Sequence, residues 1–390
     1  FPTGAVPLTH RGIMRHFTFV LLFIAQLLRA QPFAVGTRNV SFVDTDRSRT
    51  IACALYHPAD ASGTDVPVSN GAFPVLVMGH GFVMTVDAYT YIGTHFAAQG
   101  YIVVLPTTEG GFAPDHAAFG ADLAFLVSAM QQAGADGTSA FFGHVAPSSA
   151  IMGHSMGGGA AFLGASSLGA TIQALVGLAP AETTPSAITA AAGVSVPTLV
   201  FAASADCVTP IPQHARPMYD ALSVPCKAFV NITGGGHCYF GDNSFTCSFG
   251  ELTCAPDLTI SREEQHAVVT DIMDLWLDHF LRGSQAAFDA LLDTLDQSPR
   301  IVAEHTCGST SVSSVPADGP HVQVNGNGTI TVEGAMIGSE VDVFDALGRR
   351  TFHGRVNADR YVPVLSDVPG VALIRVRMDE GTTVLRVIRQ

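Results

Sequence analysis

Six short apolar runs recur through the middle of the chain, at residues 74–78, 101–105, 150–153, 172–178, 197–202 and 227–232. Each is rich in Val and Ile or other apolar residues at successive positions, as strands buried on both faces of a parallel sheet are. Segments of helical length and apolar spacing lie between or after them, at 86–99, 115–133, 158–168, 212–222 and 263–281. Upstream, 39–43 and 50–56 read as antiparallel edge strands. This βαβα order predicts an α/β fold, a mostly parallel open sheet covered by helices on both faces. Ligands of such sheets bind beyond the carboxyl ends of the strands.

Charge narrows the partners. Nineteen Lys+Arg stand against thirty-three Asp+Glu, a net of −14, which excludes the basic face that nucleic acid needs. Residues 1–30 carry three arginines and no acid, whereas 31–315 hold eight bases and twenty-four acids, a net of −16. Residues 316–390 are near balance, with eight arginines and nine acids. Three charge characters suggest three parts. In the first, Met14-Arg15-His16 precedes an apolar run, 17–28, and then Arg29-Ala30. That order reads as a leader and signal peptide over 1–30, cleaved after Ala30, with 1–13 ahead of the expected start. The run is too short for a transmembrane span. Export would put the seven cysteines, Cys53, Cys207, Cys226, Cys238, Cys247, Cys254 and Cys307, in an oxidising compartment, and their odd number leaves at least one unpaired. There is no C-x-x-C and no H-E-x-x-H, so neither a metal nor a cofactor is expected.

The chemistry sits at the strand ends. Gly153-His154-Ser155-Met156-Gly157 is a G-x-S-x-G motif between a strand and a helix. That is the context of the nucleophile elbow of an α/β-hydrolase, with Ser155 as nucleophile. A serine hydroxyl needs a base, and His237 in Gly234-Gly235-Gly236-His237 follows the last parallel strand. His154 sits beside the nucleophile and points elsewhere, and His214 and His266 fall in predicted helices. Asp206, after the strand at 197–202, is the acid that fixes the imidazole, giving the chain order Ser, Asp, His; Asp220 is its rival. Backbone N–H groups of Met156 and of Phe82, in Gly79-His80-Gly81-Phe82, are the candidate oxyanion donors.

The elbow, Val196-Pro197-Thr198-Leu199-Val200-Phe201 leading to Asp206, Ile232-Thr233-Gly234-Gly235-Gly236-His237 and Met218-Tyr219-Asp220 resemble bacterial cutinases and PETase-type polyester hydrolases over roughly residues 70–285. The resemblance implies a secreted carboxylic-ester hydrolase with Ser155, His237 and Asp206 as triad, Phe82 and Met156 as oxyanion donors, and ester or polyester substrates, including poly(ethylene terephthalate). Two positions depart from the family. Phe82 stands where it usually has Tyr, and Pro180-Ala181-Glu182-Thr183-Thr184 stands where it has a Trp. Phe82, Glu182 and Thr183 are then the expected substrate contacts, and the sole tryptophan, Trp276, falls in the last predicted helix. Residues 179–195 leave little room for a lid. Cys207 follows Asp206 and Cys238 follows His237, so contact between those side chains would bring the two cysteines near disulfide distance. Cys207–Cys226 is the alternative, and Cys247–Cys254 would close a short loop. The resemblance includes a bridge nearby and favours Cys207–Cys238. A serine peptidase or lipase of the same fold is the alternative enzyme; a non-catalytic surface binding protein would not need the intact triad.

The catalytic region is expected over 31–306, followed by a Ser/Gly/Pro-rich linker at 307–320. Seven short strands follow at 322–324, 329–332, 339–344, 349–353, 361–365, 371–378 and 382–388, suggesting a small C-terminal β-sandwich over 321–390. Val343-Phe344-Asp345-Ala346-Leu347-Gly348-Arg349, Val368-Pro369-Gly370 and the terminal strand resemble the C-terminal sorting domain of type IX secretion in Bacteroidota. That implies the secretion machinery as a partner and a secreted or cell-surface location. A carbohydrate- or polymer-binding module is the rival reading, with Tyr361 nearly its only aromatic.

Overall fold

The computed structural model describes residues 32–308 and, beyond them, seven strands between 321 and 388. The expected leader and nearly all of the expected linker lie outside the described residues.

Ten strands form one sheet. They are β1 (Ala34–Asp44), β2 (Arg49–Ala59), β3 (Gly63–Thr64), β4 (Phe73–Gly79), β5 (Ile102–Pro106), β6 (Val145–His154), β7 (Ala174–Leu178), β8 (Thr198–Ala203), β9 (Lys227–Ile232) and β10 (Ile301–His305). Their order is β10-β9-β8-β7-β6-β4-β5-β2-β1-β3. The run from β5 to β9 is parallel, while β1, β2 and β10 join it antiparallel. Among the described residues the α-helices are α1 (Thr90–Ala98), α2 (His116–Ala135), α3 (Met156–Leu168), α4 (Ala187–Ala191), α5 (Ala215–Ala221), α6 (Phe245–Leu252), α7 (Arg262–Arg282) and α8 (Gln285–Gln297).

The continuous apolar strands divide their residues between two cores by simple alternation. Leu76 and Met78 of β4 and Val103 and Leu105 of β5 meet α1, α7 and α8 on one face. Val75, Val77, Ile102 and Val104 meet α2, α3, α4 and α5 on the other. Trp276 is fully buried on α7 in the first of these cores. Ser261 accepts from the Glu264 N–H and Glu264 returns to the Ser261 N–H, a capping box that fixes the start of α7.

Beyond residue 320, β11 (His321–Val324), β12 (Ile330–Glu333), β13 (Glu340–Phe344), β14 (Arg350–Arg355), β15 (Arg360–Tyr361), β16 (Val371–Met378) and β17 (Gly381–Ile388) form two antiparallel sheets. Their orders are β11-β12-β15 and β14-β13-β16-β17. The rest of the strand expected at 361–365 lies outside the described residues.

The cysteines pair otherwise than the sequence suggested. The bridges are Cys207–Cys254, Cys226–Cys307 and Cys238–Cys247. Cys207–Cys238 does not form, although the side chains of the residues before them do meet. Each is taken by the segment of α6 instead, Cys247 on the helix and Cys254 just past its end. Nor do Cys207–Cys226 or Cys247–Cys254 form. Cys307, placed by sequence in the linker, is buried and ties the end of β10 back to the start of β9. Cys53 is free and buried on β2, where burial pushes its thiol up to about 12, so it is inert as a nucleophile at neutral pH.

Candidate active site

Ser155 stands at the corner between β6 and α3 with φ 56°, the left-handed region that a side chain enters only under constraint. The constraint is backbone. The Ser155 N–H donates to the Leu178 carbonyl at 3.0 Å, and its own carbonyl accepts from Ala181 at 2.8 Å. Two glycines let the corner close. A Cβ on Gly153 would lie 2.1 Å from the Gly157 oxygen, and one on Gly157 would lie 2.3 Å from the Gly79 carbonyl.

Ser155, His237 and Asp206 meet in one hydrogen-bonded series. Ser155 Oγ lies 2.9 Å from His237 Nε2, and His237 Nδ1 lies 2.8 Å from Asp206 Oδ2. A carboxylate only accepts, so the ring proton sits on Nδ1 and Nε2 is left to accept from the serine. The other lone pairs of Asp206 are filled. Oδ1 accepts from the Val208 and Thr209 N–H groups, and Oδ2 accepts from the Thr209 hydroxyl at 2.7 Å. Burial pushes the Asp206 carboxyl up. The His237 charge and the bonds from His237 and Thr209 outweigh it, leaving the group below the ordinary carboxylate value. The rival Asp220 is half-exposed and pairs with Arg216 at 2.8 Å.

The loop carrying His237 is held from behind by residues that lie later in the chain. Gln265 on α7 grips Gly236 twice, accepting from its N–H at 3.0 Å and donating to its carbonyl at 2.9 Å. The buried Glu251 carboxylate on α6 accepts from the Cys238 N–H at 2.8 Å. His154 does point away from the serine, into a buried relay. The Gly81 N–H donates to Tyr89 Oη at 2.7 Å, and that hydroxyl lies 2.8 Å from His154 Nδ1. His154 Nε2–H then donates to the His237 carbonyl at 3.2 Å. The loop of Gly79–Phe82 and the loop of His237 are thereby tied together.

Full burial holds His154 well below the ordinary histidine value of 6.5, reinforced by the charge of His237. Burial also lowers His57, His214 and His266. Below pH 6.5 the unfolded chain therefore binds protons that the folded chain refuses. Stability is complete above that value and falls as pH drops through it, at up to about 1.4 kcal/mol per pH unit for one proton. Urea denaturation should show a lower midpoint at pH 5.5 than at pH 7.5, and a higher one would contradict this account of the buried histidines.

A cleft of about 360 Å³ opens onto Ser155. Its lining includes Phe82 and Met156, put forward from sequence as oxyanion donors, and Glu182 and Thr183, put forward with Phe82 as substrate contacts, together with His116, His214 and Val208, for which the sequence offered no such role. The size is at the small end for ligand sites. The wall at 181–184 is braced by its own polar groups. The Glu182 carboxylate accepts from the Ile188 N–H at 2.9 Å, and the Thr183 hydroxyl donates to the Pro185 carbonyl at 2.7 Å. The Glu182 N–H donates to His214 Nδ1 at 2.9 Å, and the Thr184 N–H to His116 Nδ1 at 3.3 Å. On the far side, Arg49 meets Glu109 at 2.6 Å, and Glu109 accepts from the Asp115 N–H at 2.7 Å, fixing the segment that leads to His116. Among the described residues no group of three His, Cys, Asp or Glu is placed to hold a metal. Nor is any described helix long and apolar enough to cross a membrane.

The mostly parallel sheet, covered by helices on both faces, has the α/β-hydrolase arrangement, and its family and relatives place the chain among the carboxylic-ester hydrolases. The chain belongs to the PET hydrolase-like family, whose model matches residues 25–252. It is similar to cutinase 2 of Thermobifida cellulosilytica, 28% identical over 214 residues, covering 54% of this chain and 73% of the relative. A cutinase of Thermobifida fusca is 28% identical over 214 residues, 54% of this chain and 60% of the relative. The bis(hydroxyethyl) terephthalate hydrolase of Streptomyces coelicolor is 28% identical over 186 residues, 47% of this chain and 54% of the relative.

Proposed function

We propose that the chain is an exported serine esterase that cleaves uncharged esters, polyesters among them, through an acyl-enzyme on Ser155. The observation that carries this reading is the series Ser155 Oγ, His237 Nε2, His237 Nδ1 and Asp206 Oδ2, with Ser155 at the edge of an open cleft. As Oγ attacks the ester carbonyl, His237 Nε2 takes its proton, and Asp206 stabilises the imidazolium. The carbonyl oxygen becomes an oxyanion facing the Met156 N–H, at the positive start of α3, and the Phe82 N–H. His237 then gives its proton to the leaving alkoxide, and the alcohol departs. Water enters, loses a proton to Nε2 and attacks the acyl carbon. Collapse frees the acid and returns the proton to Ser155.

The substrate class follows from the walls. The segment 181–184 offers no aromatic ring, and the side chains of Glu182 and Thr183 are taken up by the Ile188 N–H of α4 and by the Pro185 carbonyl. A stacked ring pair is worth roughly 0.5–1.5 kcal/mol beyond burial, so aromatic acyl groups lose up to about tenfold here. The enzyme therefore favours short to medium aliphatic acyl groups. Product release from polycaprolactone film should exceed that from poly(ethylene terephthalate) film at equal loading, and the reverse order would overturn this reading of the cleft. A panel of p-nitrophenyl esters of rising chain length beside a p-nitroanilide tests ester against amide cleavage; faster amide turnover would make the enzyme a peptidase.

Export is supported by the basic–apolar–small order of residues 15–30 and by three disulfides, which persist in oxidising compartments. Residues 321–390 are the module addressed to the secretion machinery and are dispensable for catalysis. The catalytic sheet closes before them, with β10 against β9 and Cys307 bridged to Cys226. A chain ending at Thr310 should keep its activity on a soluble ester within about twofold and lose normal export or surface attachment. An inactive but soluble shortened chain would make the tail part of the catalytic unit.

A further inference from the structure

Helix α6 turns its apolar residues outward. Phe245, Phe249 and Leu252 are 84%, 62% and 78% exposed, and they follow the i, i+4, i+7 spacing of one helical stripe. The opposite side of the helix is anchored. Cys247 is bridged to Cys238, the residue after His237, and the buried Glu251 holds the Cys238 N–H. Cys254, just past the end of the helix, is bridged to Cys207, the residue after Asp206. The Thr246 hydroxyl donates to the Val83 carbonyl at 2.9 Å. Phe245 and Phe82 are thus the immediate neighbours of two residues bonded to each other, and Phe82 lines the cleft at Ser155. Single exposed apolar residues are ordinary, but three in register on a helix braced by two disulfides beside a cleft are a surface held ready for contact.

We infer that this stripe is an adsorption site for the uncharged surface of a water-insoluble aliphatic polyester, holding the solid while the adjoining cleft works on a chain at its face. The inference rests on the reading of the site as an esterase. Charge favours this occupant. Helix α6 carries no Lys or Arg, whereas helices that lie on anionic membranes carry a basic polar face, and the region 31–315 has a net of −16. Area argues against a second copy of the chain. Aromatic side chains bury about 150–250 Å² each, so the stripe supplies roughly 500 Å², below the roughly 800 Å² per partner of a stable interface.

The test replaces the stripe and keeps the anchors. The full chain and its Phe245→Ser/Phe249→Ser/Leu252→Ser variant are compared, each also with Ser155→Ala so that adsorption is read without hydrolysis. The variant should turn over soluble p-nitrophenyl butyrate within twofold of the parent, while its affinity for polycaprolactone particles falls at least tenfold and product release falls with it. Should the triple variant lose soluble-ester activity, the single Phe249→Ser exchange carries the same expectation at two- to threefold. Unchanged adsorption overturns the inference. So does loss of binding to phosphatidylcholine vesicles with polymer binding intact, which would assign the stripe to a lipid surface. A parent that sediments as a dimer and a variant that sediments as a monomer would assign it to self-association and overturn it too. Because adsorption is read on the Ser155→Ala background, a parent that binds polymer through the stripe but cleaves no ester would sink the esterase reading and leave this inference standing.

Discussion

Ser155→Ala is expected to lower kcat on p-nitrophenyl butyrate by roughly 10⁴–10⁶-fold, with the fold and the cleft intact. The size follows from the coupling of the three groups. Without Oγ, His237 has no proton to take and Asp206 no imidazolium to stabilise, so removing one member disables the set. What survives is binding in the cleft and the backbone donors around the oxyanion. Steady-state kinetics on the purified variant, beside its circular dichroism, checks this. A folded variant with turnover within tenfold of the parent would exclude Ser155 as nucleophile.

The largest effect on stability is expected at Cys226–Cys307. This bridge spans 81 residues, enclosing the His237 loop and α6, α7 and α8. Closing a loop of that length in the unfolded chain costs about 4.5 kcal/mol of conformational free energy in the chain-entropy view, and measured losses of native bridges are typically 2–5 kcal/mol. It also clamps an edge strand. Thr306 N–H bonds the Lys227 carbonyl and Lys227 N–H the Thr306 hydroxyl beside it, so β10 depends on the same junction. Cys226→Ser with Cys307→Ser should lower the free energy of unfolding by about 4 kcal/mol in urea titration, and a loss below about 1 kcal/mol would show that the sheet edge holds without it.

The parts of the molecule legible in its sequence are those whose physics is local. A strand buried on both faces is apolar at nearly every position, so the parallel strands announced themselves; Lys227–Ile232 was bounded to the residue by its apolar Ala228-Phe229-Val230 and Ile232, its two polar residues being only partly buried. The corner at Ser155 needs glycines at fixed offsets because backbone approaches backbone there, and that spacing is written in Gly153 and Gly157. Asp206 and His237 were singled out because the expected fold places a candidate after each of two successive strands, and their side chains do meet at 2.8 Å. The cysteine pairing was not legible. It depends on where α6 lies, and a short helix whose apolar side faces solvent gives no core-facing pattern to read. Strand β10 escaped for the converse reason, being a half-exposed edge of five residues, IVAEH, with little apolar continuity. Helix α8 did carry a signal, the spacing of Phe288, Leu291, Leu292 and Leu295, which pack against α7 and the sheet. Gln265, Glu251 and Tyr89 act on the site only through three-dimensional contact, and nothing in their local sequence marks them.

The reading of the site stands on Ser155 being acylated, and one measurement addresses that directly. The full chain is treated with a fluorophosphonate or an activated aryl ester, and its intact mass and peptide map are recorded against the Ser155→Ala variant. The expected result is one adduct per chain, carried by Ser155, absent from the variant, and formed in step with loss of esterase activity. Full esterase activity with Ser155 unmodified, or an adduct on another residue that tracks the loss, would contradict the account.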